Sequence, residues 1–522
     1  MTNTKHTHTY TSEFCSIISL VLFLSFFELR HQAFNDLASL ACNFIKKKNK
    51  VPSSSEGMKI PREAVVEELK RQLWLAVPLC SVAFLQYSLQ TISIMFVGHL
   101  GTLPLSGASM ATSFAAVTGF TLLTGLTGAL DTFCGQSNGA GQYQMLGIHL
   151  QRSMLVVSVV SVFVAVIWAN TEPILIAMRQ DKAIANQAGK YARCLIPSLF
   201  AHGLLQSILR FLQTQSIVFP MVITSALAAL LHILLCWLLV FKTPLGSRGA
   251  PISISICYYL NLLFISFYVK YSSSCKQSWT GFSKKSLNGV FSFLKLAVPS
   301  ALMLCLKVWT FELVVILSGL LPNPALETSV LSICLNTFTL AWMIPFGFSA
   351  AVSTRVSNEL GGGNPEAARV AVGVVLWMVF IEGILLASIM VVLRNMWSRI
   401  YSNDKQVIRE VSATTPILAV SCFLDGIQSA LSGIASGCGW QRIGAYVNLG
   451  SFYLVGVPCS VLLGFVAHMK AKGLWLGIIA AFVVQVTFYA IITIRTSWDQ
   501  QARIAESRVK ESTMSPKTEC EV

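Results

Sequence analysis

The sequence predicts an all-α polytopic membrane protein, with twelve transmembrane helices in two six-helix bundles related by a parallel internal repeat. Three observations carry this. Of 522 residues, 54% are hydrophobic and 12% are charged, where an ordinary soluble domain has about 25% charged. Apolar runs long enough to cross a membrane recur along the chain. The second half of the chain repeats the first. This composition, with a mean hydropathy of +0.65, excludes a soluble enzyme, a disordered protein and a collagen-like fibre.

The apolar runs fall at about 73–97, 108–134, 152–171, 190–209, 217–241, 250–271, 289–318, 326–351, 368–393, 407–433, 443–467 and 474–494. A helical span needs roughly 20 apolar residues, whereas a barrel strand has about 10 in alternation. The run lengths and short polar gaps predict helices.

The repeat is weak but collinear. Leu75-Ala76-Val77-Pro78 recurs as Leu296-Ala297-Val298-Pro299, an offset of 221, and Gly98 matches Gly319 at the same offset. Gly139 and Gly141 match Gly361 and Gly363 at 222, Phe200 and Gly203 match Phe423 and Gly426 at 223, and Gly249 matches Gly473 at 224. Six spans per copy is an even number, so both halves share one orientation, as in transporters built from parallel repeats. The expected divisions are an N-terminal bundle over 58–285 and a C-terminal bundle over 286–497.

Residues 1–57 have no partner in the repeat. Their one apolar run, Phe14–Phe27, spans 14 residues, the length of a signal-peptide core rather than a span. They read as a poorly ordered extension. A chain beginning at Met58 is therefore expected to insert and transport as the full chain does. Failure of either in a vesicle flux assay would give the extension a role. The tail over 498–522 is polar and charged and is expected to be disordered on the cytoplasmic side.

There are 38 Lys and Arg against 23 Asp and Glu. In a membrane protein such an excess marks cytoplasmic loops rather than nucleic-acid binding. With both termini placed inside, 23 basic residues fall on the inner side and 12 on the outer. The loop at 394–409, with four basic residues on the outer side, dissents. The 14 cysteines are scattered, with no CxxC and no metal-ligand spacing, and read as small buried hydrophobes. No cofactor is expected: GxxxxGK[ST] and HExxH are both absent from the sequence.

Ionisable groups inside spans cost about 2.5–3.5 kcal/mol at a helix centre and are functional candidates by default. Here they are Lys307, Glu312, Glu382 and Asp425, with Asp131 nearer a helix end. Asp425 lies on a polar stripe of Ser421, Gln428, Ser432 and Ser436, with Ser429 beside it. Such a stripe faces protein or a water-filled cavity, not lipid. It is either a cavity wall with a titratable carboxylate or a packing seam of small residues. Glu312 shares a face with Trp309, while Glu382 has no polar companion at helical spacing. Milder stripes include Gln86, Gln90 and Ser93, then His202, Gln206 and Gln213, then Ser332, Asn336 and Thr339. Together they suggest a central cavity. Gln428, Ser429, Asn336, Trp309 and Gln90 are the candidate substrate contacts. Under the repeat His202 takes the place of Asp425, so the acids concentrate in the second half. Gly433 and Gly437 read as helix-packing positions.

Several stretches resemble the multidrug and toxic compound extrusion (MATE) transporters, in particular the plant branch called DETOXIFICATION proteins. They are Met95-Phe-Val-Gly-His-Leu-Gly101, Leu105-Ser-Gly-Ala108, Ala129-Leu-Asp-Thr-Phe-Cys-Gly-Gln136, Phe311-Glu312 with Leu317-Ser-Gly-Leu-Leu-Pro-Asn-Pro324, Leu326-Glu-Thr-Ser-Val330, Arg355-Val-Ser-Asn-Glu-Leu-Gly361, and Leu424-Asp-Gly-Ile-Gln428 running into Gly439-Trp-Gln441. They lie in order across residues 72–495. The resemblance implies two bundles around a cavity, alternating access, and export of small organic, often cationic, compounds in exchange for protons or sodium. It implies the vacuolar or plasma membrane, and coupling acids in the seventh and tenth spans. The Asp of that pattern maps onto Asp425. The family usually has two acids in the seventh span, five residues apart; the second maps onto Glu312, and the first is replaced here by Lys307.

The expected protein is thus a proton-coupled antiporter of small organic compounds, monomeric in the lipid bilayer. A sodium-coupled or uncoupled carrier, and a transport-dead homologue serving as sensor or scaffold, are the alternatives. Glu312 is five residues from Lys307, about 140° round the helix and roughly 7.5 Å along it. Asp425 is therefore the better expected partner for the ammonium.

Overall fold

A computed structural model describes residues 62–513; the expectations for residues 1–57 lie outside them. Among the described residues, twelve helices are long and apolar enough to cross a membrane. The first half holds α1 (Arg62–Gly98), α2 (Thr102–Gly139), α3 (Tyr143–Ala169), α4 (Lys182–Thr214), α5 (Phe219–Phe241) and α6 (Gly246–Tyr271). The second holds α7 (Val290–Ser318), α8 (Pro324–Gly361), α9 (Pro365–Tyr401), α10 (Lys405–Cys438), α11 (Gln441–Val466) and α12 (Lys470–Arg495). Each apolar run lies within or nearly coincides with one helix. Twelve crossings return the start of α1 and the end of α12 to one face, called here the terminal face.

The largest boundary shift is at α1, which starts at Arg62 rather than near 73. Its first turns are polar, but Glu68 and Gln72 are buried. Arg355 of α8 donates to Glu68 at 2.7 and 2.9 Å, and Gln72 donates to the Ala371 carbonyl of α9 at 2.8 Å. Buried polar groups persist where they find partners, so the helix extends past the hydropathy signal.

The repeat recurs in three dimensions. Pro78 and Pro299 sit inside α1 and α7, where a proline removes a backbone bond and bends the helix. The fourth span of each half is the most buried, 72% in α4 and 67% in α10, and the fifth the least, 28% in both α5 and α11. The polar stripes of α4 and α10 therefore face protein. Between the halves, α1 packs on α8 and α7 packs on α2, contacts that exchange under the repeat. Gly433 and Gly437 lie against Ser349 and Ser353 of α8: an added Cβ would come within 2.3 and 2.8 Å of those carbonyl oxygens.

Bonds between the halves gather toward the terminal face. Thr132 of α2 donates to the Ser436 carbonyl at 2.5 Å, Gln136 to that of Gly437 at 3.2 Å, and Gln213 of α4 to Thr354 at 3.2 Å. Gly139 closes this seam. A Cβ there would lie 1.8 Å from the Asn358 carbonyl oxygen, and one on its repeat partner Gly361 would lie 2.1 Å from that of Gln136. Gly139→Val is expected to insert yet fail to close this face. Its flux in vesicles should then fall at least about tenfold, since carriers depend on alternating closure of the two sides.

The expected disorder of the tail is corrected for residues 498–513; the rest of it lies outside the described residues. Trp498–Thr513 forms a helix, α13. Its Ala502 and Ala505 are buried in a cluster with residues of α8 and α9, and Val509 is buried as well. Arg508 donates to Gln136 of the first half at 2.7 Å, and Trp440 donates to Gln501 at 3.1 Å. Composition gave no sign of this because three small apolar residues at helical spacing suffice for docking.

Candidate functional site

Four helices of the second half meet around Lys307. The ammonium, on α7, donates to the Asp425 carboxylate and to Gln428 Oε1, the latter at 3.0 Å. Both partners lie on α10, three residues apart and so on one helix face. Trp342 of α8 and Phe482 of α12 place their rings 5.7 and 5.6 Å from the Lys307 nitrogen, within cation–π reach. Asp425 is 1% exposed and Lys307 8%. An ionised pair this deep is tolerated only with extra hydrogen bonds and polarisable walls, and Gln428 and the two rings supply them. The rest of the stripe is also inside: Ser421 accepts from Trp475 of α12 at 2.9 Å, and Ser429 is buried.

The other candidates stand apart. Glu312 lies on α7, half-buried, without a hydrogen bond or ion pair among the described residues. Trp309 donates across the halves to the Val117 carbonyl of α2 at 3.0 Å. Asn336 is exposed on α8. Gln90 lies in the first half beside the Tyr258 hydroxyl. The structure thus joins Lys307, Asp425 and Gln428 directly and bonds none of the other candidates to them.

The repeat gives the cluster a neutral counterpart. An offset of 221 back from Lys307 reaches Gln86, which accepts from Gln206 at 2.9 Å. An offset of 223 back from Asp425 reaches His202, bonded to Thr124 at 3.1 Å. The same crossing is amide to amide in one half and ammonium to carboxylate in the other.

Two further charge groups pair in ways the sequence did not foresee, although Asp131 was among its candidates. Asp131 of α2 pairs with Arg210 of α4 at 3.2 Å, and Arg210 also donates to Gln213 at 3.3 Å. Arg355 joins Glu68 to Glu359. Opposite charges at the edges of apolar runs in the same half were the available signal for the first. The second links spans far apart in sequence and left none.

Two six-helix repeats in parallel orientation, with charges buried among their helices, define an integral multi-pass membrane protein of the transporter class. The MatE family model matches the chain twice, at residues 78–238 and 299–462. The two matches start 221 residues apart and end 224 apart, the same drift as the sequence repeat. Protein DETOXIFICATION 16 of Arabidopsis thaliana is 56% identical over 451 residues, covering 86% of this chain and 93% of that one. Protein DETOXIFICATION 17 of the same plant is 55% identical, covering 86% and 94%. The crystal structure of the eukaryotic MATE transporter AtDTX14 superposes with a TM-score of 0.83 at 43% identity, covering 85% of this chain and all of that one. The chain belongs to the MatE family and is a plant-type MATE transporter, a multidrug efflux carrier by family.

Proposed function

We propose that this protein exports small organic compounds, often cationic secondary metabolites or xenobiotics, in exchange for protons. The observation that supports this best is the buried Lys307–Asp425–Gln428 cluster, built from four helices of the second half, where the first half has Gln86 and His202 at the repeat-related positions. In this reading the second half, residues 286–497, is the coupling bundle, and 58–285 is the bundle against which it moves. Asp425, Lys307 and Glu312 carry the coupling, and Gln428, Ser429, Asn336, Trp309 and Gln90 line the path of the substrate. The protein acts as a monomer in the vacuolar or plasma membrane, both termini cytoplasmic; the 23-to-12 distribution of basic residues supports that orientation.

One pH unit supplies about 1.4 kcal/mol per proton. Protonation and substrate bias one equilibrium between two arrangements of the bundles, so each displaces the other. The test is flux of ethidium, a lipophilic cation, in liposomes holding the purified protein. A pH gradient is expected to drive it. Flux that follows an imposed sodium gradient and ignores pH would favour the sodium-coupled carrier. Binding without flux under either gradient would favour a sensor or scaffold.

A further inference from the structure

Glu382, near the middle of α9, is an acid that the cluster does not use. Both of its carboxylate oxygens are buried, and neither has a hydrogen-bond partner among the described residues. Most buried polar atoms are satisfied, so an orphaned carboxylate calls for a reason.

Its surroundings supply one. Glu382 rests on α10 at Gly426, the residue after Asp425. A Cβ on Gly426 would lie 3.4 Å from Glu382 Oε2, with the Val379 carbonyl oxygen at 3.8 Å and Pro345 of α8 at 3.9 Å. The absence of a side chain at Gly426 leaves the carboxylate its place beside the ion pair. The helices packed on α9 are α1, α8, α10 and α13. From α10, Asp425 and Cys422 face the acid closely enough to interact with its charge, and from α1 Cys80 does. α8 brings Pro345, and α13 meets the beginning of α9 through apolar side chains. The cation beside Asp425, Lys307, is already bonded to Asp425 and Gln428.

The charge arithmetic follows. Lys307 and Asp425 cancel, so protonation of Asp425 would break a satisfied buried pair and leave an ammonium alone, the costly outcome for such pairs. Glu382 gains or loses a proton without breaking any bond in this arrangement. An unpartnered carboxylate among membrane helices is costly when ionised and far less so when neutral. Its two protonation states therefore make different demands on how α9 and α10 pack.

We propose that Glu382 is the proton-binding carboxylate of the second half, taking the role that Lys307 vacates in α7. The proposal rests on the proton-exchange reading above and names the group that holds the proton. The carboxylate accepts one proton from water on the acidic side and returns it to water on the other. Asp425 is a positioning residue in this scheme: it holds the Lys307 ammonium in a neutral pair.

The experiment measures proton release when ethidium binds to the purified full-length protein in weakly buffered detergent solution, with a pH dye, for wild type, Glu382→Gln and Glu382→Asp. Ethidium fluorescence reports binding in the same titration. Wild type is expected to release protons on binding. Glu382→Gln should bind and release at least about tenfold fewer, and Glu382→Asp should recover release, as linkage between two ligands of one equilibrium requires. Release from Glu382→Gln equal to wild type overturns the assignment and leaves proton exchange standing. So does a Glu382→Gln protein that no longer binds ethidium while Glu382→Asp behaves identically. If wild type binds ethidium and releases no proton, the proton-exchange reading itself fails, and this assignment with it.

Discussion

Asp425→Asn should abolish pH-driven efflux while the protein is still made and inserted. The substitution keeps size and hydrogen-bonding capacity but removes the charge that holds Lys307. Breaking one side of a buried ion pair costs about 3–5 kcal/mol because the remaining charge is left unpaired. The ammonium then keeps Gln428 Oε1 as its hydrogen-bond acceptor. An unpaired buried ammonium favours the ionised form of carboxylates in its bundle, which opposes proton loading. Two measurements check this: pH-driven ethidium flux in liposomes, expected near background, and thermal unfolding in detergent, expected lower than wild type. Adding Lys307→Gln should restore the thermal stability, since the orphaned charge is gone. Wild-type flux in Asp425→Asn would remove this residue from the coupling mechanism.

Lys307→Glu should move the pH optimum of efflux upward. Lys307 competes with protons for the Asp425 carboxylate. Replacing it with an acid puts two carboxyl groups at the place of the ion pair, and like charges in close contact make one of them retain a proton to higher pH. Loading would then no longer need as acidic a compartment. The measurement is flux against pH on the loading side, at a constant gradient. An unchanged profile with normal transport would show that the ammonium does not restrain coupling, however it is bonded at rest.

The fold was legible because membrane burial writes long signals. Each span is a run of some twenty residues, and the repeat adds a second, independent periodicity. The pairing of Lys307 with Asp425 was legible too, since helical geometry disfavours Glu312 and a polar stripe marks the facing helix. What escaped was whatever rests on few residues. The first turns of α1 are helical because Arg355 and the Ala371 carbonyl, nearly 300 positions away, satisfy Glu68 and Gln72. The docking of α13 depends on Ala502, Ala505 and Val509, too short a pattern to stand out from a polar tail. Glu382 read as a lone acid on an apolar helix, and only three-dimensional packing sets it beside Gly426.

The Lys307–Asp425 pair also has an electrical consequence. Moving one elementary charge across a membrane potential costs or yields about 2.3 kcal/mol per 100 mV. A bundle that swings a lone carboxylate through the bilayer works against that field on every cycle. A bundle carrying an ammonium and a carboxylate in contact moves as a dipole of no net charge, so its reorientation is nearly silent to voltage. The voltage dependence of a cycle in this chain is then set by the substrate and by whichever acid stands outside the pair. A cationic cargo leaving against one returning proton makes the exchange electroneutral, and a neutral cargo makes it carry current.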